Sequence, residues 1–192
     1  MNAPSDPRDP DEDEEPGPGV LLAVGAVVYG ALAAAALLWL WARGRSDALA
    51  AQSVGDHGLV ASSLVGLGVG VLGAFALTRV TRALKAVGDL LSDVQRMFFD
   101  ASDAQCAAFA VLSAASEELF FRLAVQDQFG LLGSVAAYVL LNSNVGGLRW
   151  VLFSTAHAIV FGLLVQQGFG LLGSTTAHAI LTYLCLRRPL TP

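Results

Sequence analysis

Between Gly19 and Arg188 the chain has no proline, since all seven (Pro4, Pro7, Pro10, Pro16, Pro18, Pro189, Pro192) lie at its ends. No proline in that stretch removes a backbone donor or interrupts a helix. Charge is scarce as well: 14% of the 192 residues are Asp, Glu, Lys or Arg, where a soluble domain carries about 25%. Lys85 is the sole lysine. The charge that exists is uneven, because residues 1–18 hold seven acids (Asp6, Asp9, Asp11, Glu12, Asp13, Glu14, Glu15) against Arg8, a net of −6, and the rest of the chain sums to +1. The low isoelectric point therefore reports a tail rather than a surface. No basic cluster is dense enough to track phosphates, which excludes a nucleic-acid partner. The two cysteines, Cys106 and Cys185, sit in apolar runs without CxxC spacing, so neither a disulfide framework nor a thiolate zinc site is indicated; both read as small core residues. The N-terminus is acidic and proline-rich, unlike a cleaved signal peptide, and residues 1–18 read as a disordered acidic tail.

What the chain has instead is hydrophobic length, with 55% apolar residues. About 20 apolar residues suffice to cross ~30 Å of hydrocarbon. Gly19 to Ala42 and Gly58 to Thr78 pass that test, with Trp39 and Trp41 placed to anchor the first at an interface. Ala104 to Gln126 has the length but carries Glu117, Glu118 and Arg122; Gln128 to Leu148 is uncharged; Trp150 to Leu186 is long enough for two shorter helices split at Gln166, Gln167 and Gly168. The fold class expected is all-α, a polytopic helical membrane protein with about six transmembrane helices. Its organisation would be a tail (1–18), two spans (19–78), an interfacial amphipathic helix (79–103) mixing Arg79, Arg82, Lys85 and Arg96 with Met97, Phe98 and Phe99, and a helical core (104–188).

With the N-terminus inside, the cytoplasmic side collects Arg8, Arg79, Arg82, Lys85, Arg96, Arg149, Arg187 and Arg188, leaving Arg43 and Arg45 outside. The positive-inside rule then favours cytoplasmic N- and C-termini. Wealth in Ala, Leu, Gly and Val with almost no lysine points to a high-GC bacterium, hence to a bacterial inner membrane. One internal echo is visible: Phe129-Gly-Leu-Leu-Gly-Ser134 recurs letter for letter as Phe169-Gly-Leu-Leu-Gly-Ser174, which sets Tyr138 opposite His178 and Asn142 opposite Thr182. Small residues at such spacing let membrane helices approach closely, so packing explains the echo as readily as duplication does.

Ionisable groups inside a span cost about 2.5 kcal/mol or more each and mark function by default. Glu118 and Arg122 stand at i and i+4, on one helical face, where the arginine offsets the carboxylate. Glu117 is turned about 100° away and is left unpaired, in the setting of a general base. His157 and His178 each lie in an Ala-His-Ala-Ile string within the uncharged Trp150 to Leu186 region. If the chain turns near Gln167 they fall at nearly one depth, about 15 Å from the turn, and face each other. His57, in a polar loop, is set aside.

Glu117-Glu118-Leu-Phe-Phe-Arg122, Phe153-Ser-Thr-Ala-His157 and then His178 resemble the three motifs of the CPBP family (CAAX proteases and bacteriocin-processing enzymes, or Abi proteins), written EExxxR, FxxxH and HxxxN. The resemblance covers residues 104–186. It implies an intramembrane endopeptidase acting on a membrane-anchored protein, in the manner of CAAX-type processing or of myxosortase-like trimming of C-terminal anchors. Glu117 and His157 would activate water and His178 would stabilise the oxyanion, with Glu118, Arg122 and Phe153 in support. Two positions depart from the pattern. Thr182 replaces the asparagine four residues after His178, which removes an amide donor but leaves a hydroxyl that can donate, with Thr175, Thr176 or Asn142 as other sources, and Leu123 replaces the small residue that often follows the arginine. One glutamate and two histidines would also serve as three zinc ligands, Glu117, His157 and His178. A metal-free mechanism is preferred slightly, because no carboxylate is apparent behind either histidine. Two rival readings remain open, a catalytically inactive family member acting as a membrane scaffold and a small proton-coupled carrier.

Overall fold

A computed structural model describes residues 17–83, 85–143 and 147–187. Residues 1–16 of the expected acidic tail lie outside the described residues, as do Arg8 and Arg188 of the charge count. Every regular element among the described residues is helical: α1 (Pro18–Ala42), α2 (Ala48–Gln52), α3 (Gly58–Ala83), α4 (Lys85–Met97), α5 (Asp103–Glu117), α6 (Gln126–Asn142), α7 (Gly147–Leu164) and α8 (Gly170–Arg187). Two π-helical turns, Glu118–Val125 and Val165–Phe169, join α5 to α6 and α7 to α8. The first helix thus begins at Pro18, inside the expected tail, and α3 runs to Ala83, past the expected end at Thr78.

Three helical stretches among the described residues are long and apolar enough to cross a membrane: Gly19–Ala42, Gly58–Ala83 and the kinked Trp150–Arg187. The other two expected spans fall short of that standard. One is the charged α5 with its π extension, and α6 has 17 residues. The outer faces are apolar: Val27, Leu38, Trp41, Leu64 and Leu72 are all exposed. Single exposed apolar side chains are ordinary, but whole faces of them mark a surface made for another apolar phase.

Inside, small residues set the spacing. Along α3, Ser62, Gly66, Gly70 and Ala74 recur every four residues and all are buried, forming a stripe that α8 presses into. A Cβ added at Gly66 would stand 2.4 Å from the carbonyl of Gly173, and one at Gly70 would stand 2.6 Å from that of Ala177. This is the most extensive helix contact among the described residues, and it is van der Waals contact of the small-residue kind.

The two ends differ. At one end the loop after α1 lies on the turns of the later helices. The His57 backbone N–H donates to the Gly168 carbonyl and that of Leu172 to the Ser53 carbonyl (2.8 Å), while Arg43 and Arg45 both pair with Asp127, at 3.2 and 3.0 Å. His57, placed in a polar loop by the sequence, meets the Gln167 carbonyl at 3.0 Å and rests on the Phe169 ring. At the other end α4 crosses the helix termini, with Gln95 Nε2 donating to the Cys185 carbonyl. Lys85 pairs with Asp89 and Arg96 with Asp93 along its outer side, which leaves Val87 buried beneath.

Candidate active site

The segment bearing Glu117 starts from a well-defined cap. Ser102 Oγ accepts from the Gln105 backbone N–H (3.3 Å) while the Gln105 side chain accepts from the Ser102 N–H (2.8 Å), a reciprocal box that satisfies two donors at the start of α5. Fifteen residues later the helix widens into the π turn at Glu118–Val125. Such turns leave carbonyls to be satisfied from outside and gather at functional places. Here Ser134 Oγ donates to the Phe121 carbonyl at 2.7 Å.

That turn carries a fully buried ion pair. Arg122 Nε donates to Glu118 Oε2 at 3.2 Å, and Arg122 Nη1 to Ser134 Oγ at 2.8 Å. The guanidinium also lies 5.7 Å from the Tyr138 ring centroid. The pairing expected of Glu118 and Arg122 is therefore present, with a third member the sequence did not announce: His178 Nδ1 lies 3.0 Å from Glu118 Oε1. The expectation of two unpaired histidines is corrected at His178. Because a carboxylate can only accept, it holds the proton on Nδ1 and turns Nε2 inward. A carboxylate does stand behind one histidine after all.

His178 Nε2 is 4.0 Å from Glu117 Oε2, and the rings of His157 and His178 are 4.7 Å apart, edge to face. The depth argument for the two histidines holds because α7 and α8 fold back as a hairpin. His157 sits among rings, stacked on Tyr138 (5.3 Å, 14°), edge-on to Phe161 (4.2 Å) and 6.0 Å from Phe153. Both of its ring nitrogens are buried without a protein partner. Buried polar atoms in that state call for a bound molecule, water first.

These groups border a cavity of about 280 Å³, lined by Glu117, Tyr138, Asn142, Phe153, His157, His178 and Thr182, and roofed by Val87, Leu91 and Val94 of α4. Glu117, read as unpaired, has company, since Tyr29 and Tyr138 line the same cavity. Its side chain keeps 17% exposure against 1% for Glu118, so Glu117 is the carboxylate that meets the cavity. Of the substitute donors, Asn142 and Thr182 line the cavity, although the Asn142 amide donates to the Tyr138 carbonyl of its own helix. Thr176 lies against Gly66 of α3, facing away.

Tyr29, Tyr138, Ser134 and Ser174 were not read from the sequence as site residues. Tyr29 had a signal, being the one hydroxyl in α1; Tyr138 stood opposite His178 in the repeated string. No group of three or more His, Cys, Asp or Glu side chains among the described residues is arranged to hold a metal ion. His178 Nδ1 is engaged by Glu118, the backing that a histidine ligand commonly has, so the reason given above for preferring a metal-free mechanism does not hold at His178. No family model, curated protein or solved structure matches the chain.

Proposed function

We propose that this protein is an intramembrane endopeptidase that hydrolyses a peptide bond of a membrane-anchored protein, with water activated by glutamate and histidine. The observation that carries the reading is the meeting of Glu117, His157 and His178 at one cavity, with Glu118 bonded behind His178. The resemblance of Glu117–Arg122, Phe153–His157 and His178 to the CPBP motifs supports the same conclusion, as does the order in which they occur.

In this reading a water sits between Glu117 and a ring nitrogen of His157. Glu117 takes a proton as the water oxygen attacks the scissile carbonyl carbon. Charge builds on the carbonyl oxygen, where the His178 ring and Thr182 Oγ–H are the donors. Glu117 then passes its proton to the amide nitrogen as the C–N bond breaks, leaving a new carboxylate and a new amine. Arg122 holds Glu118, Glu118 holds His178, and Phe153 walls the His157 side.

The topology we propose has six spans, α1, α3, α5 with its π turn, α6, α7 and α8, in a bacterial inner membrane. The α4 end and both termini would be cytoplasmic and the loop after α1 outside. In proteoliposomes, a single-span reporter protein carrying C-terminal membrane-anchor segments should be cut by wild type and left intact by Glu117→Gln and His157→Ala. Equal cleavage by Glu117→Gln, or movement of protons down an imposed pH gradient with no cleavage, would overturn the proposal.

A further inference from the structure

Five buried side-chain nitrogen and oxygen atoms among the described residues have no hydrogen-bond partner: Arg122 Nη2, Gln126 Oε1, Trp150 Nε1 and both ring nitrogens of His157. Three of the five sit on one helix, α7, and the two residues that carry them both line the cavity of the candidate site. An indole N–H can only donate, and a buried donor left unmet costs about as much as its lost hydration. Native interiors seldom keep one unless something outside the chain meets it. His157 has its use in the hydrolase reading. Trp150, which the sequence marked only as the start of an apolar run, has none there.

Trp150 and His157 are seven residues apart, two turns of helix, so they stand on one face of α7 about 10 Å apart along its axis. Phe153 fills the step between them, its ring 5.2 Å from that of Trp150 and 6.0 Å from that of His157. The face therefore runs indole, phenyl, imidazole. The cavity follows it, because Thr182 and Leu186 line the same space at successive turns of α8 beyond His178, and Val94 of α4 closes it. An extended peptide rises about 3.3 Å per residue, so three residues cover the distance from His157 to Trp150. What a peptide offers to a lone donor at every residue is its main-chain carbonyl.

We propose that Trp150 is a substrate-binding residue, whose indole N–H donates to a main-chain carbonyl of an extended peptide laid along α7, about three residues from the bond that is cut and on the side toward α4. The position of the cut rests on the hydrolase reading; the peptide contact does not. Such a subsite selects by conformation before sequence. A carbonyl inside a helix is already taken by the N–H four residues on, so a substrate must be unwound at that place to be held.

The test uses the full chain in liposomes and, as probe, a fluorescent synthetic copy of the reporter's anchor segment, bound by Glu117→Gln so that it stays whole. Replacing main-chain amides by esters, one at a time along the peptide, weakens one carbonyl acceptor at each place. Trp150→Phe, on the same background, keeps a ring and removes the N–H. It should weaken binding of the all-amide peptide roughly three- to tenfold, the worth of one neutral hydrogen bond. One ester should weaken binding to Glu117→Gln by a similar factor and have no further effect once Trp150→Phe is added. Mass spectrometry of the peptide cut by wild type should place that ester about three residues from the cut, and Trp150→Phe alone should raise KM by the same factor with kcat unchanged. Esters that act equally with and without the indole N–H, or act nowhere, overturn the proposal and leave Trp150 to water. If Trp150→Phe does not fold, the ester scan on Glu117→Gln decides: sensitivity at one place about three residues from the cut upholds the proposal, and scattered or absent sensitivity overturns it. Coupling of one ester to Trp150 without cleavage by wild type upholds the peptide contact and overturns the hydrolase reading; cleavage without coupling does the reverse.

Discussion

Arg122 is the side chain on which most of the polar interior depends. Its own exposure is nil, and it joins Glu118, Ser134 and the Tyr138 ring in one network. Arg122→Ala strands a buried carboxylate, for which ~3–5 kcal/mol is the usual cost. Because His178 still bonds Glu118, the loss should fall near 3 kcal/mol, read as a lowered thermal midpoint in detergent. An unchanged midpoint would show that His178 alone neutralises the site. Thr182 calls for a different measurement, since it borders the cavity yet lies outside the ion-pair network. Thr182→Val should slow cleavage about 10²-fold if its hydroxyl holds the oxyanion, whereas Thr182→Asn should raise turnover by restoring an amide donor. Activity in Thr182→Asn with none in wild type would identify the natural chain as the inactive scaffold considered above.

At the scale of elements, the contact of α3 with α8 fixes where His178 stands, because Gly70 meets Ala177 immediately before it in the chain. Gly70→Leu should force the helices apart, cost roughly 1–3 kcal/mol or more through overpacking, and abolish activity together with stability. Gly73→Ala, whose added Cβ meets Leu181 at an ordinary 3.5 Å, should do neither; circular dichroism melts of the two variants make the comparison. Uncharged length gave α1, α3 as far as Thr78 and the α7–α8 hairpin from the sequence alone, with Gly168 marking the turn of the last. The Glu118–Arg122 pair was legible for a similar reason, an i, i+4 spacing that survives the π turn. The link from Glu118 to His178 was not, because it joins residues 60 positions apart and no local rule sets that register. The π turn at Glu118–Val125 was equally hidden: it changes which carbonyls are free without changing any letter. The small-residue stripe Ser62-Gly66-Gly70-Ala74 was open to view and passed over, as its partner lies a hundred positions on.

For the molecule as a whole, the loop after α1 gathers with the turns at 126–130 and 165–170, and α4 lies at the opposite end with the α8 terminus. If six helices span, those two groups face opposite sides of a bilayer. With Cys106 and Cys185 replaced by alanine, a cysteine at Asp47 should react with an impermeant maleimide from outside intact cells, and one at exposed Phe99 only after the cells are opened. Labelling of both from one side would remove the six-span arrangement.

The stripe on α3 also has a consequence in time. Gly66 and Gly70 are made more than a hundred residues before Gly173 and Ala177, the partners they fit, and domains assemble as they emerge during synthesis. Until α8 follows, the indented side of α3 is unfilled and Glu118 lacks His178 beside it. The cavity is therefore closed by the last helix of the described chain to arrive, and a nascent protein cut off before Gly170 holds Glu117 and His157 without His178 beside them.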